Sequence, residues 1–149
     1  MTSATPGGPA GARRRVHLTP EQQVFVTERH LATLTTIRPD GTPHVVPVAF
    51  TWVPERSVAL MTTLDVSAKV RNVEAAAAAG RPARAALCQV DGGRWLTFEG
   101  ELVVSRDLGE ISDAERRHAR RYPALDPEPG RVVLRLAVDR VLGSEYMTR

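Results

Sequence analysis

The feature that narrows the fold most is a turn. Arg38-Pro39-Asp40-Gly41 lies between two runs, Leu31 to Ile37 and Thr42 to Trp52, both rich in Thr, Val and other strand formers. Proline presets φ for the first turn position, and Asp-Gly supplies the short polar side chain and the positive-φ residue that reverse a chain. Two such runs joined by so short a link pair antiparallel. The arrangement recurs where Ala83 to Val90 and Arg94 to Val104 flank Asp91-Gly92-Gly93. Ser57 to Thr63, entered through Pro54-Glu55-Arg56, reads as another strand. Arg131 to Val141 is a last one, because Val133, Leu134, Leu136, Val138 and Val141 interleave with Arg131, Arg135, Asp139 and Arg140.

Helices are short and separate. Thr19-Pro20-Glu21-Gln22 combines an N-cap threonine, proline at the first helical position and a glutamine three residues after the cap, predicting a helix to about Arg29. Lys69 to Ala79 is an unbroken series of helix formers stopped by Gly80 and Pro82. Asp113 to Arg121 predicts a charged helix whose Glu115, Arg116, Arg117, Arg120 and Arg121 lie on a solvated surface. The sum is a mainly β protein with three short helices and six antiparallel strands. A small barrel is the natural closed form, since closure removes exposed edges. There is no βαβ alternation, Gly-x-Gly-x-x-Gly or phosphate-loop motif to suggest a Rossmann-type sheet.

Length and charge distribution bound the functional classes. The 149 residues suit one core. Residues 1–15 are Ala, Gly, Pro, Ser, Thr and Arg with almost nothing to bury, predicting a disordered tail ahead of a folded unit over 16–149. The net charge of +3 comes from that tail: removing Arg13, Arg14 and Arg15 from 20 basic residues leaves 17 against 17 acidic ones. A domain that neutralises phosphate backbones carries its excess on the docking face, so no nucleic acid is expected as a partner. Association through Arg13 to Arg15 and the Arg116 to Arg121 helix is the minor alternative. The single Cys88 forbids an internal disulfide and reads as a small buried hydrophobe, and His17, His30, His44 and His118 show no metal-ligand spacing, so no metal is expected. No run approaches the ~20 apolar residues that span a bilayer. The start also lacks a contiguous apolar stretch, and the expectation is a cytoplasmic protein with no membrane association.

Lys69 is the only lysine beside nineteen arginines. It follows Thr62-Thr63-Leu64-Asp65-Val66-Ser67-Ala68, a hydroxyl-rich loop between a strand end and a helix start. Helix N-termini offer unpaired N–H groups and partial positive charge to anions. Lysine, a compact charge on a flexible stem, meets a phosphate oxygen without the planar fork that arginine needs. Two readings stand level: a phosphate cradle of Thr62, Thr63, Ser67 and Lys69, or an ordinary N-cap with a solvent-exposed lysine. No nucleophile, base and orienter assemble into a triad, and no catalytic side chain is assigned; the pattern suits chemistry carried by a bound cofactor.

The run Leu-Ala-Thr-Leu-Thr-Thr-Ile-Arg-Pro-Asp-Gly-Thr-Pro-His-Val-Val-Pro-Val (31–48), followed by Ser-x-Lys-x-x-Asn (67–72), resembles the pyridoxamine 5'-phosphate oxidase-like split β-barrel superfamily. Gln89 to Gly100, with Arg131-Val132-Val133 and Arg140 to Ser144, resembles its coenzyme F420-dependent branch of actinobacteria, and the biliverdin reductase group within it most. The resemblance spans about residues 18–145. It implies a six-stranded antiparallel split β-barrel of the FMN-binding type and a homodimer with two cofactor grooves at the subunit interface. It also implies hydride transfer from reduced F420 to a small conjugated acceptor such as biliverdin. Carried over by residue, it points to His44, Val45, Val46, Pro47, Thr62, Thr63, Ser67, Ala68, Lys69, Gln89, Arg94 and Trp95 as cofactor-binding, with Asn72 near the same anion. Arg94 could pair with acceptor carboxylates. His44 as a strand-bracing histidine and Trp95 as a core or interface aromatic are the plain alternatives, and Asp65 is expected to face water. An FMN-dependent oxidase or reductase on the same fold, and a non-catalytic carrier of a flavin or haem-type ligand, are the rival readings.

Overall fold

The computed structural model of the chain describes residues 13–148. Its elements run α1 (Pro20–Phe25), β1 (Ala32–Ile37), β2 (Pro43–Val48), β3 (Thr51–Val53), β4 (Val58–Leu64), α2 (Ala68–Ala78), β5 (Arg84–Asp91), β6 (Arg94–Ser105), α3 (Leu108–Arg121), β7 (Arg131–Gly143) and α4 (Glu145–Thr148). The predicted tail falls outside the described residues except at its end. There, Arg13 donates to the carbonyls of Ser57 (2.8 Å), Val138 (3.1 Å) and Arg56, and Arg15 donates to that of Glu55 (3.0 Å). Among the described residues, no helix is long and apolar enough to cross a membrane.

The two predicted hairpins form with their turns as read. Gly41 and Gly92 take positive φ at +85° and +58°. Ile37 pairs with Pro43 across the first, and Asp91 with Arg94 across the second. The capping box at α1 also forms, with Thr19 Oγ1 accepting from Gln22 N–H and Gln22 Oε1 accepting from Thr19 N–H. All pairings are antiparallel and build one seven-stranded sheet in the order β2-β1-β5-β6-β7-β4-β3.

Seven strands in a sheet that does not close correct the expected six-stranded barrel. The reason lies in the run Thr42 to Trp52, which is broken at Ala49-Phe50 into β2 and β3, and these occupy opposite edges of the sheet. With only two residues between them, the edges are at most about 11 Å apart at this corner, given ~3.8 Å per Cα step. No ladder joins β2 to β3, yet the sheet must coil until its first and last strands nearly meet. The coil wraps one apolar interior, with Leu34, Phe50, Met61, Leu87, Leu96, Phe98, Leu134 and Leu136 at 2% exposure or less. A second cluster of Val53, Val58, Leu60, Val133 and Ala114 seats α3 on the outer surface of β3, β4 and β7. At the β6 bulge beside Glu99, Gly100 lies against β7 so closely that a Cβ would sit 2.0 Å from the Ala137 carbonyl oxygen.

The edge strand β2 carries prolines at 43 and 47, opposite Ile37 and Thr33. Proline cannot donate to a ladder, so these positions turn their nitrogens to the free edge and the donors at 44, 46 and 48 serve β1.

What holds the corner is Arg121, predicted to be solvated but found 8% exposed. Its guanidinium donates to the carbonyl of Phe50 (2.6 Å), to Gln89 Oε1 (2.6 Å) and to the carbonyl of Glu28 (2.8 Å). The next residue, Tyr122, accepts from Phe50 N–H at 3.4 Å and donates to the His30 carbonyl at 2.7 Å. One residue thus ties the end of α3 to the β2–β3 corner, to β5 and to the loop after α1. Burial shifts the Arg121 pKa down, but all its partners are hydrogen-bond acceptors. Arg121→Leu strands three acceptors in the interior, and is expected to cost about 3–5 kcal/mol; chemical denaturation of parent and variant measures it.

Candidate functional site

Strand alternation divides the predicted site residues. His44 lies opposite Thr36 and Val46 opposite Leu34, so both face the interior with their buried partners. Val45 (56% exposed) and Pro47 face outward. The register lines Val45 up with Thr35, Ala86, Glu99 and Arg140 across four strands, and Pro47 with Thr33, Cys88, Thr97 and Leu142. Cys88, expected to be buried, is half-buried on this outer surface. Ile37, Leu31 and Val90 are also exposed, so apolar side chains share the outer face with three threonines and the Glu99–Arg140 pair.

The interior-facing residues meet α2. Asn72, buried on its first turns, donates from Nδ2 to Thr36 Oγ1 at 3.0 Å. Thr36, which pairs with His44, was not singled out by sequence because nothing in a Thr-Thr-Ile run marks which hydroxyl is buried. His44 Nδ1 is buried without a hydrogen-bond partner. One turn back along α2 from Asn72 stands Lys69. Ser67, the N-cap, makes no side-chain capping bond; its Oγ accepts from Thr63 Oγ1 at 3.3 Å. The first-turn N–H groups of α2 are therefore left without a side-chain cap. Thr62, next to Thr63, points to the opposite side of β4 by alternation and pairs with Val133. Ala68 is the first residue of α2 and brings no polar group of its own.

Lys69 is half-buried, and among the described residues it has neither a hydrogen bond nor an ion pair. Desolvation alone pushes its pKa down from 10.5, with no nearby carboxylate pulling it back. Asp65 is exposed, with its side chain beside Gly130 and its N–H on the Gly130 carbonyl at 2.9 Å, as anticipated for a residue that would repel an anion. An uncapped helix start, paired hydroxyls and a half-buried ammonium without a partner among the described residues follow one another along this segment, and helix N-termini of this kind attract anions.

The structure does not bring Gln89 and Arg94 to this corner. Gln89 is fully buried, donating to the Phe25 carbonyl (2.8 Å) and accepting from Arg121. Arg94 forks onto Glu28 at 2.8 and 3.1 Å, also reaches Asp91, and lies 4.8 Å over the Phe25 ring. Those hydrogen bonds push the pKa of Arg94 up and lower both carboxylates. Glu28, Asp91 and His30 place possible ligand atoms within 4.8 Å of one another, but the Arg94 guanidinium already supplies the cation among them. Trp95 sits at the start of β6, half-buried, its carbonyl accepting from Ser144 N–H at 3.1 Å.

Comparison with known proteins agrees with this architecture. The family described as pyridoxamine 5'-phosphate oxidase matches residues 18–144, and the chain belongs to that family. It is 45% identical over 127 residues to the F420H(2)-dependent biliverdin reductase of Mycobacterium tuberculosis (strain CDC 1551 / Oshkosh), covering 85% of this chain and 88% of that one. Among solved structures it is similar to a conserved hypothetical protein of Mycobacterium tuberculosis, with TM-score 0.70, 20% identity, and 89% of each chain covered. It is also similar to an F420 reductase, with TM-score 0.64, 23% identity, and 80% of this chain and 94% of that one covered.

A lowered lysine pKa has a sign that can be tested. Between the lowered value and 10.5 the unfolded chain binds more protons than the folded one, so the contribution of Lys69 to stability improves as pH rises through that window. At neutral pH the buried charge opposes folding. Lys69→Met should therefore raise the melting temperature of the ligand-free protein at pH 7, with the gap to the parent narrowing as pH approaches 10.5; paired thermal melts across pH check this.

Proposed function

We propose that this chain is an oxidoreductase that binds reduced coenzyme F420 and passes a hydride to a conjugated acceptor, biliverdin being the acceptor named for its 45%-identical relative. The observation that carries the reading is Lys69: an unpaired, half-buried ammonium at an uncapped helix start is poorly placed in an empty protein and well placed against a phosphate. Lys69, Ser67 and Thr63 would hold that phosphate, with the Ala68 and Lys69 N–H groups beside it. The Asn72–Thr36 bond braces α2 against β1 so that the ammonium keeps its position. His44 and Val46 form the neighbouring wall. The deazaflavin supplies a two-electron hydride when bound, so the protein's contribution is orientation and exclusion of water.

FMN also presents a phosphate, and the Lys69 corner suits either cofactor; the cofactor of the 45%-identical relative favours F420. The test is to titrate the purified protein with F420 by fluorescence, then follow reoxidation of the reduced form by biliverdin. Binding and turnover are expected, with Lys69→Met weakening F420 by roughly 10–100-fold, the loss of a charge-assisted phosphate contact. Absence of F420 binding, or tight retention of FMN by the isolated protein, overturns the reading.

The folded unit over 16–149, with residues 1–15 leading into it, would act as a homodimer. Support comes from the apolar side chains of Val45, Pro47, Ile37, Cys88 and Val90 on the outer face, the kind of surface that a partner covers. In that arrangement the grooves run along the subunit boundary, with Val45, Pro47 and Trp95 at their margins. Val45→Asp places a charge in that face and is expected to give a monomer by light scattering with F420 binding weakened.

A further inference from the structure

Away from the Lys69 corner, a cleft of about 240 Å³ opens between α1, β3 and α3. Its apolar wall is Val26, Trp52 and Pro54, and no acidic side chain lines it. Three arginines do: Arg117, Arg120 and Arg121. Their charges are poorly compensated. Among the described residues Arg121 forms no salt bridge, its guanidinium being held by carbonyls and the Gln89 amide. Arg117 shares Asp113 with Arg116, at 2.9 Å each, and Arg56 is 3.9 Å from the same carboxylate. Arg120 is exposed and makes no hydrogen bond or ion pair among the described residues. The cleft thus carries net positive charge over an indole wall.

Two lining residues hold buried polar atoms without partners among the described residues, Thr51 Oγ1 on the α3 side of β3 and Trp52 Nε1 on the interior side. Thr51 is 8% exposed, and the Trp52 ring is fixed by stacking on Phe98, 5.4 Å between centroids and 19° between planes. A buried indole N–H normally finds an acceptor, and leaving it without one is costly. Basic rim, flat apolar wall and an orphaned donor describe one ligand chemistry.

We propose that this cleft binds a flat, conjugated carboxylate. The ring system lies against Val26, Trp52 and Pro54, the carboxylate pairs with Arg117 and Arg120, and an oxygen of the ligand accepts from Trp52 Nε1–H. The site uses none of the residues assigned to the phosphate anchor, so it stands or fails independently of the cofactor assignment.

The two tryptophans give two indole N–H resonances in a nitrogen–proton correlation spectrum, and Trp95→Phe assigns that of Trp52. With 2-naphthoate as the probe, the Trp52 resonance is expected to move downfield saturably. The neutral isostere 2-naphthamide should bind at least roughly tenfold more weakly, as should 2-naphthoate to Arg117→Gln/Arg120→Gln, since each loses charge-assisted hydrogen bonds. Arg120→Gln alone removes a side chain without partners among the described residues, so its weaker binding cannot be put down to misfolding. A Trp52 resonance that stays in place to the solubility limit means the cleft holds only water and overturns the proposal. Equal affinity for the amide, or for both arginine variants, overturns it too.

Discussion

The Arg121 guanidinium is the interaction on which the rest of the structure depends. A sheet whose first and last strands are consecutive in sequence has to turn the chain through a corner, and the backbone groups of that corner cannot pair within a ladder. Phe50 is where this occurs, and its carbonyl and N–H are met by Arg121 and Tyr122. The same guanidinium reaches β5 through Gln89 and the end of α1 through Glu28 O. The coil of the sheet, the seating of α3 and the cap formed by α1 are therefore fixed at one point. The positions of β2 and β4 relative to α2, and with them the corner that holds Lys69, follow.

Among the described residues, Arg121 and Lys69 are cations removed from water with no carboxylate paired to them, and they differ in what surrounds them. Arg121 has its donors directed at acceptors already in place, so its charge is spread over a finished network. Lys69 has no such network: its neighbours are hydroxyls and the N–H end of a helix. The first is a structural charge. The second has no acceptors in place, and that contrast is what marks Lys69 rather than Arg121 as the candidate for binding.

Much of this was legible in the sequence, for local reasons. Asp40-Gly41 and Gly92-Gly93 state their turns, Thr19 and Gln22 state their cap, and the alternation in β7 states its buried face. Lys69 stood out because arginine fills every other basic position. The break at Ala49-Phe50 was not legible, because alternation runs through it undisturbed and only closure of the sheet forces it. Nor was the burial of Arg121, whose partners lie 32 to 93 residues away in sequence. Sequence likeness placed Gln89 and Arg94 in a cofactor groove, and within the subunit the folded chain engages both in hydrogen bonds. It also named His44 to Pro47 together, and period two sets alternate members of that run on opposite sides of the sheet.

The edge prolines have a consequence for how this protein meets copies of itself. Of the three positions of β2 that turn their nitrogens outward, 43, 45 and 47, only Val45 has a hydrogen to offer. A second chain approaching along that edge would find a broken row of donors and could not continue the sheet. The edge is thereby closed to strand-by-strand growth, the usual hazard of a sheet that does not close on itself.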